Sequence, residues 1–92
     1  MNQMNKARKK ELLGKGSKLE PTVHIGKEGV SEGVVEELRA QVKRTRLVKV
    51  RVLPNADLPI KEVATELAER SGSVVVDVRG FTVLLCDARL AI

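Results

Sequence analysis

The residues with chemistry to offer lie between positions 23 and 33, Val23-His24-Ile25-Gly26-Lys27-Glu28-Gly29-Val30-Ser31-Glu32-Gly33. An apolar triplet, a Gly-x-x-Gly step and a serine before a helical pattern read as strand, tight loop and capped helix start. Glycine lets a backbone turn sharply and lets another molecule reach its N–H groups. A helix start adds unpaired N–H donors and a partial positive charge. The combination suits a phosphate, with Gly26, Lys27, Glu28, Gly29 and Ser31 as contact residues. The bland alternative is a loop whose glycines only satisfy positive φ angles. Lys27 inside the loop favours the phosphate.

Other chemistry is poorly supplied. The chain has one histidine, one cysteine and no tyrosine or tryptophan. One Cys and one His do not make a four-ligand zinc site. His24 and Cys86 have no third group to orient them as a nucleophilic pair. His24 is expected on the surface and Cys86 as a buried, inert thiol. Gly14-Lys15-Gly16-Ser17 resembles the end of a nucleotide-binding loop, but Lys9 stands where the earlier glycine is required and no apolar strand precedes it. Glu36-Glu37 and the trio Glu62, Glu66 and Glu69 suit exposed helix faces. No enzyme activity, metal or cofactor is expected.

Charge is placed unevenly. Formal net charge is +5 in 92 residues. Residues 1–18 hold six basic residues, Lys9, Lys10, Lys15 and Lys18 among them, against Glu11 alone. A second acid-free block, Leu38 to Ala56, carries Arg39, Lys43, Arg44, Arg46, Lys49 and Arg51. The two blocks are expected to merge into one polyanion-binding patch, with the basic end of the second helix beside the glycine loop. The length bounds the chain to one domain, 1–92, with residues 1–7 a frayed basic arm. No secretory signal is expected, since the N-terminus is polar and shows no apolar core region. No apolar run is long enough to span a membrane. A lone cysteine fits a cytoplasmic setting.

Seven elements must position the loop. A helix is predicted over about 3–13, its thin apolar side made by Met4, Ala7, Leu12 and Leu13, and ended by Gly14 and Gly16. Thr22–Ile25 reads as a strand, with Val23 and Ile25 on one face and Thr22 and His24 on the other. Ser31 caps a helix carrying Val34, Val35, Leu38 and Val42. Leu47–Leu53 alternates, with Val48, Val50 and Val52 opposite Lys49 and Arg51. Pro54 to Asp57 is loop. Pro59–Arg70 is a third helix facing inward through Ile60, Val63, Ala64, Leu67 and Ala68. Ser73–Arg79 and Phe81–Cys86 are strands joined by a tight Arg79-Gly80 hairpin. The fold class is α/β in the α+β sense: helix–strand–helix–strand–helix–strand–strand, a four-stranded mixed sheet with helices packed on it.

Four segments carry a family resemblance. The stretch from Lys18 to Val34 resembles the signature opening of the CRM domain, named for chloroplast RNA splicing and ribosome maturation. Leu47-Val48-Lys49-Val50-Arg51-Val52, then Ala64 to Gly72 with its Ala-Glu-Arg-Ser-Gly end, then Val76 to Leu84 follow in the family's order and spacing. The resemblance covers roughly residues 8–87. It implies a stand-alone RNA-binding domain of the ribosome-associated type, acting on precursors of the large subunit. It also implies a sheet similar to the C-terminal domain of translation initiation factor 3. By motif position Gly26, Lys27 and Gly29 would be the loop residues and Lys49 the strand lysine. Glu28 departs from the pattern, as do Thr45-Arg46-Leu47 and Leu85-Cys86-Asp87.

The expectation is therefore a monomeric, non-catalytic binder of structured ribosomal RNA. With Phe81 the sole aromatic residue, contacts should go to phosphates and sugars, with base stacking almost unavailable. Arg39, Lys43, Arg44 and the N-terminal lysines would extend the patch. The rivals are an Alba-type chromatin protein of similar size and charge, and a protein-interaction module using a sheet edge or face.

Overall fold

The computed structural model describes residues 5–56 and 58–91. Its elements are α1 (Lys6–Gly16), β1 (Val23–Ile25), α2 (Glu32–Thr45), β2 (Leu47–Val52), α3 (Ile60–Ser71), β3 (Ser73–Arg79) and β4 (Thr82–Asp87). Short 3₁₀ turns occupy Pro54–Ala56 and Ala88–Ala91. The order is the expected one. The strands lie β1-β2-β4-β3; β1 runs parallel to β2, and β4 runs antiparallel to both its neighbours.

Alternation in β2 sorts the molecule into layers. Val48, Val50 and Val52 face one side, where they meet Val23 and Ile25 of β1, Leu38 and Val42 of α2, and Val63, Ala64 and Leu67 of α3. Ile25, Leu38, Leu67 and Leu85 are wholly buried; each contributes about 1.5–3 kcal/mol relative to exposure. The other face holds a smaller cluster, Leu12, Leu47, Val76, Leu84 and Cys86, covered by α1 and Leu90. Helices thus sandwich the sheet. A β-bulge at Val76, where the pairing steps from Val75↔Leu85 to Asp77↔Leu84, lets Val75 and Val78 serve the larger core while Val74 and Val76 serve the smaller.

Caps follow the sequence signals. Ser31 Oγ accepts the Val34 N–H at 3.3 Å. Glu32 lies in the first turn of α2 and Lys43 and Arg44 in its last, complementing the helix dipole. Gly72 closes α3 in the left-handed region, φ 71°. Arg46 does the same for α2 at φ 70°, a conformation that strains a non-glycine residue. Its carbonyl accepts the Asp87 N–H at 2.9 Å, which holds it there.

The structure corrects three boundaries. α1 is not ended by Gly14; it runs through Gly16 and starts at Lys6, so Lys6 and Ala7 are helical, not frayed. Gly16 is buried because the helix lies directly on Leu84: a Cβ there would meet Leu84 Cδ2 at 2.5 Å. Here glycine permits close packing, and α1 ends at it as expected. Met4 and the rest of residues 1–4 lie outside the described residues, as does Asp57. Thr22 precedes β1; its hydroxyl bonds the Gln41 side-chain oxygen of α2. Phe81 belongs to the β3–β4 turn and not to β4. Gly80 has φ 58° and Phe81 has no positive φ, the pattern of a two-residue II′ hairpin.

Candidate nucleic-acid interface

The C-terminal ends of β1, β2 and β3 and the start of β4 lie at one end of the sheet, as the pairs Ile25↔Val52, Arg51↔Thr82 and Arg79↔Thr82 require. The glycine loop leaves the sheet there. Gly29 N–H donates to the Gly26 carbonyl at 2.9 Å, closing a four-residue turn with Lys27 and Glu28 at its exposed tip. Gly29 has φ 70°, which its neighbours cannot easily adopt, and a Cβ there would meet Leu58 Cδ1 at 3.3 Å. Gly26 is different: a Cβ would find only ordinary contacts, Leu53 Cδ1 at 3.8 Å and Asn55 Oδ1 at 4.0 Å. The first glycine leaves the turn open from outside; the second makes the turn possible.

The turn presents donors. Among the described residues the N–H groups of Lys27 and Glu28 make no hydrogen bond. Those of Glu32 and Gly33, in the first turn of α2, have no intrahelical partner. Arg70 fixes the connection between the two sets: its Nη1 donates to the Val30 carbonyl at 2.9 Å and lies 3.1 Å from Glu66. Sequence reading missed Arg70. Only the packing of α3 against α2, forty residues away in the chain, reveals it.

The basic residues divide into sets the sequence did not separate. Lys27 is exposed and, among the described residues, has no ion-pair partner. Arg39 is engaged, with Nη1 3.0 Å from Glu36 and Nη2 donating to the Arg70 carbonyl at 2.8 Å. Lys49 Nζ donates to the Leu19 carbonyl at 3.0 Å, tying the segment after α1 to the sheet. Lys15 and Arg8 flank Glu11, each at 3.5 Å. Lys9, Lys10 and Lys18 are exposed. Lys43 and Arg44 stand in the last turn of α2, about 17 Å along the axis from Glu32 at 1.5 Å per residue. The basic end of the helix is therefore remote from the glycine loop, contrary to the expectation. Nor do the two basic blocks merge through their helices: α1 covers one face of the sheet and α2 the other.

A different basic row takes shape from strand register. His24 pairs with Arg51, Arg51 with Thr82, and Thr82 with Arg79, all on the face opposite Val23 and Ile25. Across three strand spacings this row spans about 14 Å. Arg79 lies 3.8 Å from Asp77; Arg51 has no ion-pair partner among the described residues. The C-terminal end of α1, at Gly16 and Ser17, borders a hollow shared with Lys49, Asp77, Arg79 and Thr82. Alternation placed Arg51 on this face from sequence; its union with Arg79 needed the register.

The opposite end of the sheet is built for stability. Asp87 is buried and lies 2.9 Å from Arg89 and 3.7 Å from Arg46. Hydrogen bonds from the Arg89 side chain and backbone hold its carboxyl down at about 2. Burial, and then the Asp87 charge, push the Cys86 thiol up to about 11. Arg46 is thus occupied as a helix cap and ion-pair partner. Among the described residues no cluster of three or more His, Cys, Asp or Glu side chains could hold a metal, and no helix is long and apolar enough to cross a membrane.

Comparison with known proteins places this architecture. The CRS1/YhbY (CRM) domain family matches residues 4–86. The chain belongs to this family. It is 40% identical over 83 residues to the Methanocaldococcus jannaschii protein named "Probable RNA-binding protein MJ0652", covering 88% of this chain and 61% of that protein. It is 31% identical over 77 residues to the Bacillus subtilis "Probable RNA-binding protein YqeI", covering 84% of this chain and 80% of that one. The chain thus spans under two thirds of the archaeal relative's length. Its fold is that of Staphylococcus aureus SAV1595, whose solution structure is described as "a putative RNA binding protein": TM-score 0.77, 27% identity, 91% of this chain and 88% of that one.

Proposed function

We propose that this CRM-family chain binds structured RNA, seating phosphates on the Gly26–Gly29 turn and the first turn of α2. The observation that carries this reading is that the N–H groups of Lys27 and Glu28, unbonded among the described residues, stand a few positions before those of Glu32 and Gly33 at the open start of α2, with a lysine that has no ion-pair partner among the described residues. Anions suit such a place because unbonded N–H donors and the positive end of the helix dipole each favour negative charge. Arg51, Arg79 and Lys18 extend the surface on the other side of the sheet end. Ser31 caps α2 by accepting the Val34 N–H, which leaves its own O–H free to donate to a phosphate. Lys43 and Arg44 can serve only an RNA long enough to reach the far end of the helix.

The RNA-binding names of the relatives support RNA as the target, and the sequence resemblance to ribosome-associated CRM proteins favours ribosomal RNA of the maturing large subunit. In this reading the chain acts as a cytoplasmic monomer without catalysis. Filter binding of large-subunit ribosomal RNA, with duplex DNA as competitor and salt as the variable, tests it. Four neutralised phosphates give a log–log salt slope of about −3. A flat salt response, or equal competition by DNA, overturns the proposal.

A further inference from the structure

We propose that Phe81 and the apolar shelf around it receive an unpaired base of the RNA whose phosphate lies on the Gly26–Gly29 turn; this rests on the RNA reading above. Phe81 is the single aromatic residue of the chain. It is 61% exposed at the tip of the β3–β4 hairpin. Its mount is rigid: Gly80 supplies the positive φ, and the Phe81 carbonyl accepts the Val52 N–H at 2.7 Å. Leu58, 45% exposed, lines the same hollow with Leu53, Pro54 and Pro59. Single exposed apolar residues need no explanation, but two large ones sharing a hollow do.

The shelf adjoins the phosphate site. Leu53 N–H donates to the Ile25 carbonyl at 2.8 Å, and Val52 N–H to Phe81. Phe81 therefore stands two strand spacings from the end of β1, about 10 Å. Leu53 and Leu58 fill the interval, since they are the side chains that lie against Gly26 and Gly29. Three exposed cations lie close along the chain to residues of the shelf or the turn beside it: Lys27 next to Gly26, Arg51 next to Val52, and Arg79 two positions before Phe81. An apolar peptide would leave these cations unanswered. A nucleic-acid strand offers what the surface asks for: a flat ring and, about 10 Å away along its backbone, an anion. In a duplex the bases are stacked on each other, so the shelf selects a looped-out or single-stranded base. Stacking is then available at one place, where composition alone suggested almost none.

Phe81→Trp gives a chain with one tryptophan and no tyrosine, hence a single fluorophore on the shelf. Titration with a single-stranded RNA oligonucleotide quenches it, whereas an RNA duplex of the same composition does not. Phe81→Ala weakens the single strand about tenfold and leaves the duplex unchanged. Absence of quenching, or equal loss for both RNAs, overturns the proposal. Lys27→Glu separates the two ideas. If it weakens both RNAs while Phe81→Ala weakens neither, the shelf is wrong and the phosphate site stands. If it weakens neither, the phosphate site falls and the shelf with it. A Phe81→Ala chain that binds RNA normally but loses a protein partner assigns the shelf to that protein and also overturns the proposal.

Discussion

Reversing charge at the glycine turn and at the far end of α2 should have very different consequences for RNA binding. Lys27→Glu changes the charge beside the turn by two units, about 5 Å from a phosphate seated there. In water two unit charges at that distance interact by about 0.8 kcal/mol, so the reversal amounts to about 1.7 kcal/mol. Screening at 0.1 M salt, with a Debye length of about 10 Å, reduces this to about 1 kcal/mol. Affinity falls about fivefold or more, and the salt slope loses about 0.7–0.9 because one phosphate contact is gone. Lys43→Glu with Arg44→Glu changes four units, but from the last turn of α2. At about 17 Å each unit is worth about 0.24 kcal/mol unscreened and about 0.05 kcal/mol screened, so all four come to about 0.2 kcal/mol. The double reversal alters affinity by less than twofold. Fluorescence anisotropy with a short labelled RNA oligonucleotide, repeated across salt, measures both. If the double reversal weakens binding as much as Lys27→Glu, the phosphate is not at the glycine turn.

Three further outcomes follow from the geometry. Gly29→Ala forces an alanine into φ 70° against Leu58, destabilising by about 1–2 kcal/mol and lowering Tm by roughly 5–10 °C in thermal melts; Gly26→Ala leaves Tm within about 2 °C, so Gly26→Asp is the cleaner probe of binding. Asp87, with its pKa lowered from 3.8 to about 2, contributes stability that is present above pH 4 and is lost as pH falls towards 2. Full conversion of that shift gives about 2.5 kcal/mol, but Arg89 is exposed and screened, so about 1 kcal/mol is expected from denaturant melts at pH 5 and pH 2 compared with Asp87→Asn. Cys86, buried and with its thiol pushed up to about 11, reacts with a thiol reagent at pH 8 only at the rate of unfolding; fast labelling of the folded protein contradicts its placement.

Much of the fold was legible because its signals are local. The alternation of Leu47 to Val52 marks a strand with two distinct faces, Ser31 marks a helix start, and Gly72 marks a helix end. Gly14 misled, since the helix runs through it, and the close packing at Gly16 is tertiary: only the approach of Leu84 shows what a side chain there would displace. The loop of the candidate site could be found from sequence, since Gly26, Gly29 and Ser31 act through neighbouring backbone. Its cations could not be sorted. Arg39 and Lys49 look free in a charge count, yet each spends its donors on a carbonyl thirty or more positions away. The row His24–Arg51–Arg79 draws on three separate strands and exists only through register. Phe81 looked like one more strand residue until the II′ turn carried it to the tip.

Amide chemical shifts of the labelled protein, followed during RNA titration, test the phosphate site most directly. The largest changes are expected on Lys27, Glu28, Glu32 and Gly33, with Arg51 and Phe81 next. Changes confined to α1 or to Lys43, Arg44 and Arg46, with the turn silent, would contradict it.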